Sequence, residues 1–224
     1  MKRSEINDIL SKADAFLKGF GMILPPFAYW PPDRVLGPAG DVIRDRGMGW
    51  DITDYGEGRF DDLGLFLFTL RNGTLADLRQ ARGMLYAEKI MISRVNQLSP
   101  MHRHILKAED IINRGGGTLV VELFASNAEG GIDRAADITV LCDGQPHTLP
   151  AGGRLGLAPG ESITLMPGQW HAFWAEGADC AIGEVSTVND DRTDNVFEAP
   201  IKRFSDVAED EPSLYALVSD YPQT

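Results

Sequence analysis

The sequence predicts an all-β barrel or sandwich that is entered through one amphipathic helix and flanked by extended arms. Three observations carry that prediction. From Tyr86 onward, strand-like runs follow one another at 86–95, 100–104, 107–112, 117–125, 136–142, 154–157, 161–166, 170–175 and 180–188. Turn formers such as Asp143-Gly144 and Ala158-Pro159-Gly160 separate them, the punctuation of a meandering antiparallel fold. Residues 4–20 repeat differently: Ile6, Ile9, Leu10, Ala13, Phe16, Leu17 and Phe20 recur at helical spacing and make one apolar stripe.

Each element has its own justification. Ser4 can cap the helix and Gly19 with Gly21 can stop it, so its stripe is expected against the outer face of a sheet. Leu24-Pro-Pro-Phe27 and Trp30-Pro-Pro32 read as an extended arm, because proline lacks a donor and restricts its predecessor. Residues 41–62 are dense in glycine and aspartate and read as an ordered loop; Asp51 and Asp54 cap turns there or bind a sugar hydroxyl. Gly64 to Leu70 is a buried strand ended by the turn Arg71-Asn72-Gly73, and 75–84 a short helix. Arg114-Gly-Gly-Gly117 reads as a tight turn in preference to a phosphate nest, since a strand-like run and no helix follows it. His147 lies in a polar hairpin and is expected to be exposed. The tail from Asp190 reads as a solvated extension whose Leu214, Tyr215, Leu217 and Val218 can dock back. The expected organisation is one domain over 1–224: helix and arm at 1–62, barrel at 63–188, C-terminal extension at 189–224.

Composition excludes some function classes. A net charge of −12 and a pI near 4.7 argue against nucleic acid or an anionic membrane as partner, since phosphates demand basic patches. The N-terminus lacks the apolar core of a secretory signal, and no apolar run approaches the ~20 residues that span a bilayer. Cys142 and Cys180 are too few for a disulfide framework and read as free thiols, with one bridge as the alternative. A cytoplasmic protein is expected.

The chemistry is concentrated in Pro100 to Asp110. On a strand, His102 and His104 share one face, and Lys107 and Glu109 share an i, i+2 set. Two imidazoles and a carboxylate from adjacent strands form a facial site with open positions, unlike a closed structural zinc site. Gly160 to His171 adds a third of the chain's 4 histidines. Together these stretches resemble the two motifs of the cupin superfamily, which implies a jelly-roll β-barrel and a metal set of His102, His104, Glu109 and His171. The resemblance has departures: Asn96 stands at the first motif's glycine, Pro167 directly precedes Gly168, and Ala175 replaces an asparagine.

Such a set leaves two adjacent positions, which suit the vicinal oxygens of a hydroxy-aldehyde or hydroxy-ketone and stabilise an enediolate. Proton movement between the neighbouring carbons then needs an acid/base group. Lys107 is one candidate, or else a solvent-exposed strand lysine. Glu184, in phase with Ile182, is the other, either aimed inward or on the wetter face.

A closer resemblance rests on Gly49 to Asp54, Tyr86 to Ile92, His102 through Gly117 and Val188 to Asn195. These segments resemble the D-lyxose isomerase family of cupins over nearly the whole chain. That resemblance implies a metal-dependent aldose–ketose isomerase acting through a metal-stabilised cis-enediol. It implies interconversion of D-lyxose with D-xylulose, and of D-mannose with D-fructose, in a homodimer. Manganese is the implied metal, with cobalt, ferrous iron, nickel and zinc as other occupants. The alternatives are a ferrous cupin dioxygenase and a non-catalytic sugar-binding cupin. Asp190, Asp191 and Arg192 match a family segment with their role open.

Overall fold

The computed structural model describes residues 1–222. Helix α1 (Arg3–Gly19) buries Ile6, Ile9, Leu10, Ala13 and Leu17 against Trp50, Ile52, Phe66, Phe68 and Leu217. Its start differs from expectation. The cap is Lys2, whose amide donates to the Glu5 carboxylate at 2.8 Å, while Ser4 sits inside the helix and donates to Asp210. At its end Gly21, at φ 71°, takes the left-handed turn that L side chains rarely adopt.

The proline arm is more regular than expected. Pro26–Tyr29 form a 3-10 turn and α2 (Pro32–Leu36) begins on a proline, a position where the missing N–H has no partner to lose. The expected loop at 41–62 contains α3 (Asp41–Asp45) and strand β1 (Gly49–Thr53). All five residues of β1 are buried, with Trp50 and Ile52 on the helix side and Asp51 and Thr53 bonded to Arg203 on the other; the surrounding glycines and aspartates masked that short alternation.

The remaining elements are β2 (Leu65–Asn72), α4 (Leu75–Arg79), β3 (Tyr86–Ser93), β4 (Ser99–His104), β5 (Glu109–Ser126), β6 (Ile132–Asp133), β7 (Ile138–Cys142), β8 (Gln145–Leu149), β9 (Gly153–Leu157), β10 (Ser162–Leu165), β11 (Trp170–Thr187) and β12 (Asn195–Phe197). The main order is β1-β2-β3-β11-β5-β10-β7-β8, with β4 and β9 added to β11 and β5 and β12 paired to β4. Strands β5 and β11 pair along nearly their whole length and belong to both walls of the barrel. One half of β11 carries β4 and the other carries β3; β5 likewise carries β9 and β10. The fold is the cupin-type all-β barrel, filled by residues such as Leu67, Met91, Ile111, Leu119, Phe173 and Ile182.

Two expected breaks are continuous strand. Arg114 to Gly117 is no turn: β5 runs through it, and β11 runs through 176–179. The register shifts there, and Gly115 and Gly116 sit at φ 152° and 103°. A Cβ on Gly116 would lie 1.9 Å from the Asp179 carbonyl oxygen, so glycine lets the bulged strands bend together. Strand β3 ends at Ser93 and β4 begins at Ser99, matching the two separate runs expected there. The chain turns through Asn96 at φ 60°, a conformation that asparagine tolerates where glycine is usual, which accounts for that departure from the motif. His147 is exposed on β8, and Cys142 and Cys180 are free.

The tail keeps its acidic side chains in solvent, as expected, but it is docked on the domain and does not extend from it. Asp206 to Glu211 lies along α1, where Arg3 binds Glu209 and Ser4 binds Asp210. Acidic side chains at a helix N-terminus complement its unsatisfied N–H groups. Leu217 and Val218 dock as expected, Tyr215 stacks on Trp50 with ring centroids 5.6 Å apart, and Leu214 stays exposed. Residues 223–224 of the expected extension lie outside the described residues. Among the described residues, no helix is long and apolar enough to cross a membrane.

Candidate active site

Strand β4 presents His102 and His104 on one face, and its register places His102 directly opposite His171 of β11. Glu109 opens β5 after the corner 105–108. One nitrogen from each imidazole lies within 4.8 Å of one from each of the others. The Glu109 carboxylate completes the group: its Oε1 is 3.2 Å from His104 Nε2 and 3.2 Å from His171 Nε2.

Tautomers follow from the backbone. His102 Nδ1 meets the Pro100 carbonyl at 2.8 Å and His171 Nδ1 meets the Gln169 carbonyl at 3.1 Å. A carbonyl only accepts, so each Nδ1 carries a proton and each Nε2 is turned into the site. Burial lowers the His102 pKa well below the ordinary range, helped by His171 and His104; burial, then Lys107, lowers that of His104. Imidazole nitrogens of His104 and His171 thus meet one Glu109 oxygen, with His102 beside them, an arrangement into which a cation fits. The donor set fits a divalent first-row ion with open positions.

Beyond Glu109 a chain of buried charges continues. Its Oε2 accepts from Lys107 Nζ at 2.6 Å, and Lys107 Nζ also reaches Glu184 Oε1 at 3.0 Å. Glu184 lies opposite Lys89 in the β11–β3 register, and Lys89 Nζ is 3.4 Å from the same Oε1. Lys89 meets Asp191 at 3.6 Å, Asp191 meets Arg203 at 3.5 Å, and Arg203 meets Asp51 at 2.6 Å. Burial alone would pull the Lys107 ammonium toward neutrality, but Glu109, Glu184 and Asp191 outweigh it and hold Lys107 above the usual lysine range. Burial also opposes charge on Glu109, yet Lys107 and His104 hold its carboxyl well below the usual range. Lys89 and Arg203 do the same for Asp191. Burial raises Asp51 despite Arg203, and pushes the Tyr55 phenol up to about 12.

These groups, Asp51 excepted, line one pocket whose other walls include Leu65, Leu67, Met91, Phe173 and Phe197. That mixture of apolar walls and convergent polar groups suits a small polar ligand. All six residues expected at the site line it together. Glu184 is inward and 3% exposed, which decides between its two readings, and Lys107 is equally buried.

Sequence reasoning missed Lys89, Arg203 and the packing of Tyr55. Lys89 did leave a signal, since it is the charged member of the inward set Ala87, Lys89, Met91 and Ser93 on β3. Arg203 left none, being 152 positions from its partner Asp51. Asp191, whose role was open, faces the cavity; Asp54 caps the turn of Gly56 and Gly58, and Asp51 pairs with Arg203.

Comparison with known proteins agrees with this geometry. Solved L-ribose isomerases share the fold: that of Cellulomonas parahominis with L-ribose has a TM-score of 0.59 at 15% identity, covering 93% of this chain and 98% of that one. The enzyme of Geodermatophilus obscurus gives 0.56 at 16% identity, with the same coverage. A curated D-lyxose/D-mannose isomerase of Serratia proteamaculans is 46% identical over 226 residues, covering 99% of this chain and 98% of the relative. A protein of the same name from Escherichia coli O157:H7 is 47% identical over 231 residues, covering 100% and 99%. The D-lyxose isomerase family model matches residues 1–221, and the chain belongs to that family.

Proposed function

We propose that this protein is a metal-dependent aldose–ketose isomerase that interconverts D-lyxose with D-xylulose and D-mannose with D-fructose. One observation carries the reading: three convergent imidazoles stand beside a buried Lys107–Glu184 pair in a single pocket. His102, His104, His171 and Glu109 would hold the ion, with manganese preferred and cobalt, ferrous iron, nickel or zinc admitted. When bound there, a divalent ion supplies Lewis-acid polarisation of the sugar oxygens.

The chain's own groups then have defined tasks. Glu184 takes the proton from C2 of the open-chain aldose, leaving an enediol, and returns it to C1 on the same face. The hydroxyl proton passes from the C2 oxygen to the C1 oxygen, so the sugar changes isomer without net gain or loss of atoms. Both lysines gather at Glu184 Oε1, so we assign Oε2 to the substrate proton. Lys107 stays an ammonium and donates to the oxygen on which negative charge develops, a contribution that grows in a dry site. A single base serving both carbons requires the two oxygens on one side, hence a cis-enediol. Arg203, whose Nη1 is buried without a partner among the described residues, donates to a hydroxyl farther along the sugar.

The test is metal analysis of the purified protein, then a panel of aldopentoses and aldohexoses read for ketose under anaerobic conditions. Stoichiometric divalent metal and D-xylulose from D-lyxose are expected. Turnover that survives metal removal would overturn the reading, as would oxygen consumption in step with substrate, the mark of a ferrous dioxygenase. Free thiols support the cytoplasm as its compartment. The homodimer belongs to the same proposal and is checked by light scattering.

A further inference from the structure

His104 and Lys107 flank a sharp corner, and something outside the barrel strands holds it. Three consecutive amides in that corner converge on one carboxylate. Ile105 N and Leu106 N donate to Asp194 Oδ1 at 3.0 and 2.7 Å, and Lys107 N donates to Asp194 Oδ2 at 3.0 Å. The Asp194 backbone carbonyl accepts from Ile105 N as well, at 3.2 Å, and Gly168 N holds the His104 carbonyl at 2.9 Å. Asp194 is 7% exposed and its bond to the Lys107 amide is buried, where a lost acceptor is costly.

The same carboxylate faces His104. Its Oδ2 is 3.9 Å from His104 Nδ1, too long for a hydrogen bond, and that Nδ1 has no partner among the described residues. His102 and His171 each have a backbone carbonyl at this position. A negative charge beside Nδ1 favours the proton there, which keeps the His104 Nε2 lone pair turned toward Glu109 and the other imidazoles. Asp194 is carried by the segment whose next residue begins β12, and β12 pairs with the edge of β4 in the register Asn195↔His104.

From this geometry we infer that Asp194 is the positioning residue of the site: one buried carboxylate sets the backbone that aims Lys107 and orients the His104 ring. It touches neither substrate nor ion. The inference rests on the metal-site reading above and adds a residue from the C-terminal segment to it.

The test compares Asp194→Asn with Asp190→Ala in the full-length protein. Asparagine keeps the size and one acceptor oxygen but turns an amide donor toward one of the corner's N–H groups. Asp190 ties the same loop through Thr193 and the Arg192 amide and makes none of the corner bonds. Apparent affinity for Co2+ is read by equilibrium dialysis and by the visible absorption of the bound ion, and kcat and KM are read on D-lyxose. For Asp194→Asn, a loss of about 10- to 100-fold in Co2+ affinity is expected, together with an altered cobalt spectrum and a fall in kcat larger than any change in KM. Asp190→Ala should keep the parent affinity and spectrum. Parent-like Co2+ binding and kcat in Asp194→Asn would overturn the inference, and so would equal losses in both variants, which would mean that loop order alone matters. An inactive parent that binds Co2+, with affinity weakened only in Asp194→Asn, leaves this inference standing and overturns the sugar reading instead. A parent that binds no Co2+ overturns both.

Discussion

At the imidazole end of the cavity, burial favours neutral His102, and backbone carbonyls two residues away fix both His102 and His171. At the charge-paired end, Lys89, Asp191, Arg203 and Asp51 hold one another through side chains that are 100 or more positions apart in most pairings. The first end is local and pre-formed by strand geometry. The second exists only once the C-terminal segment has closed over the barrel. The difference separates what chemistry needs from what folding needs: the first end offers lone pairs, and the second neutralises buried charge.

The sharpest way to break that comparison is to remove one charge where the two ends meet. Lys107→Met should lower kcat by roughly 10²- to 10⁴-fold, the usual worth of a positioned acid/base group, with metal content unchanged. His104→Ala should lose the metal as well as the activity. Both are read by metal analysis alongside turnover of D-lyxose. A Lys107→Met protein that also lost its ion would show that the ends are not separable.

At the far end the expected effect is on stability. Arg203→Leu leaves Asp51, 1% exposed, as a buried charge without its guanidinium. Breaking one side of such a pair costs about 3–5 kcal/mol. Adding Asp51→Asn should restore much of that loss, because the stranded charge is gone. Urea unfolding of the two variants checks it, and a double variant no better than Arg203→Leu would show that packing of the arginine, not its charge, holds the segment.

How far these ends were legible in the sequence follows the same division. The i, i+2 pair on β4 and the Gly160–His171 stretch declared themselves because strand periodicity decides where neighbouring side chains point. Glu184 was half legible: its phase with Ile182 was visible, but Lys89 opposite it depends on which strand pairs with β11. Arg203 lay in a polar tail with no period, and nothing local says that such a tail returns 152 residues to meet Asp51. The fold suffered in the same places. Glycines at 115–117 look like a turn, and only the partner strand's matching bulge makes them a bend in β5. Strand β1 was hidden because its short alternation, Trp50 and Ile52 against Asp51 and Thr53, lies among the glycines and aspartates of an apparent loop.

Acid separates the ends by pH. His104 is pushed below its ordinary 6.5 by burial, so as pH drops past that value the unfolded chain binds a proton that the folded, metal-free chain refuses. Its contribution is present above about pH 6.5 and declines below it, on the order of 1.4 kcal/mol per pH unit for one such group. Asp191 is depressed from 3.8, so its contribution is lost only below about pH 4. Metal-free protein should therefore lose stability in two stages, and Asp191→Asn should weaken the lower one, which Glu109 shares, while leaving the upper one in place. Thermal melts between pH 8 and pH 3 would show this, and a flat profile between pH 7 and pH 5 would contradict the neutral imidazole end.

The smallest effect tests whether exposure is what distinguishes these charges. Lys12 and Asp8 on α1 are 2.6 Å apart, closer than most of the cavity pairs, with 68% and 60% of their side chains exposed. Water and salt screen such a pair, and holding two long side chains together costs entropy, so an i, i+4 pair contributes only about 0.3–0.5 kcal/mol. Lys12→Ala should shift the urea midpoint barely beyond error, and high salt should erase what shift there is. Arg203→Leu should keep its larger loss in the same salt, because its partner is out of reach of ions. If Lys12→Ala matched Arg203→Leu, burial would not be the variable that makes the charge-paired end hold the C-terminal segment in place.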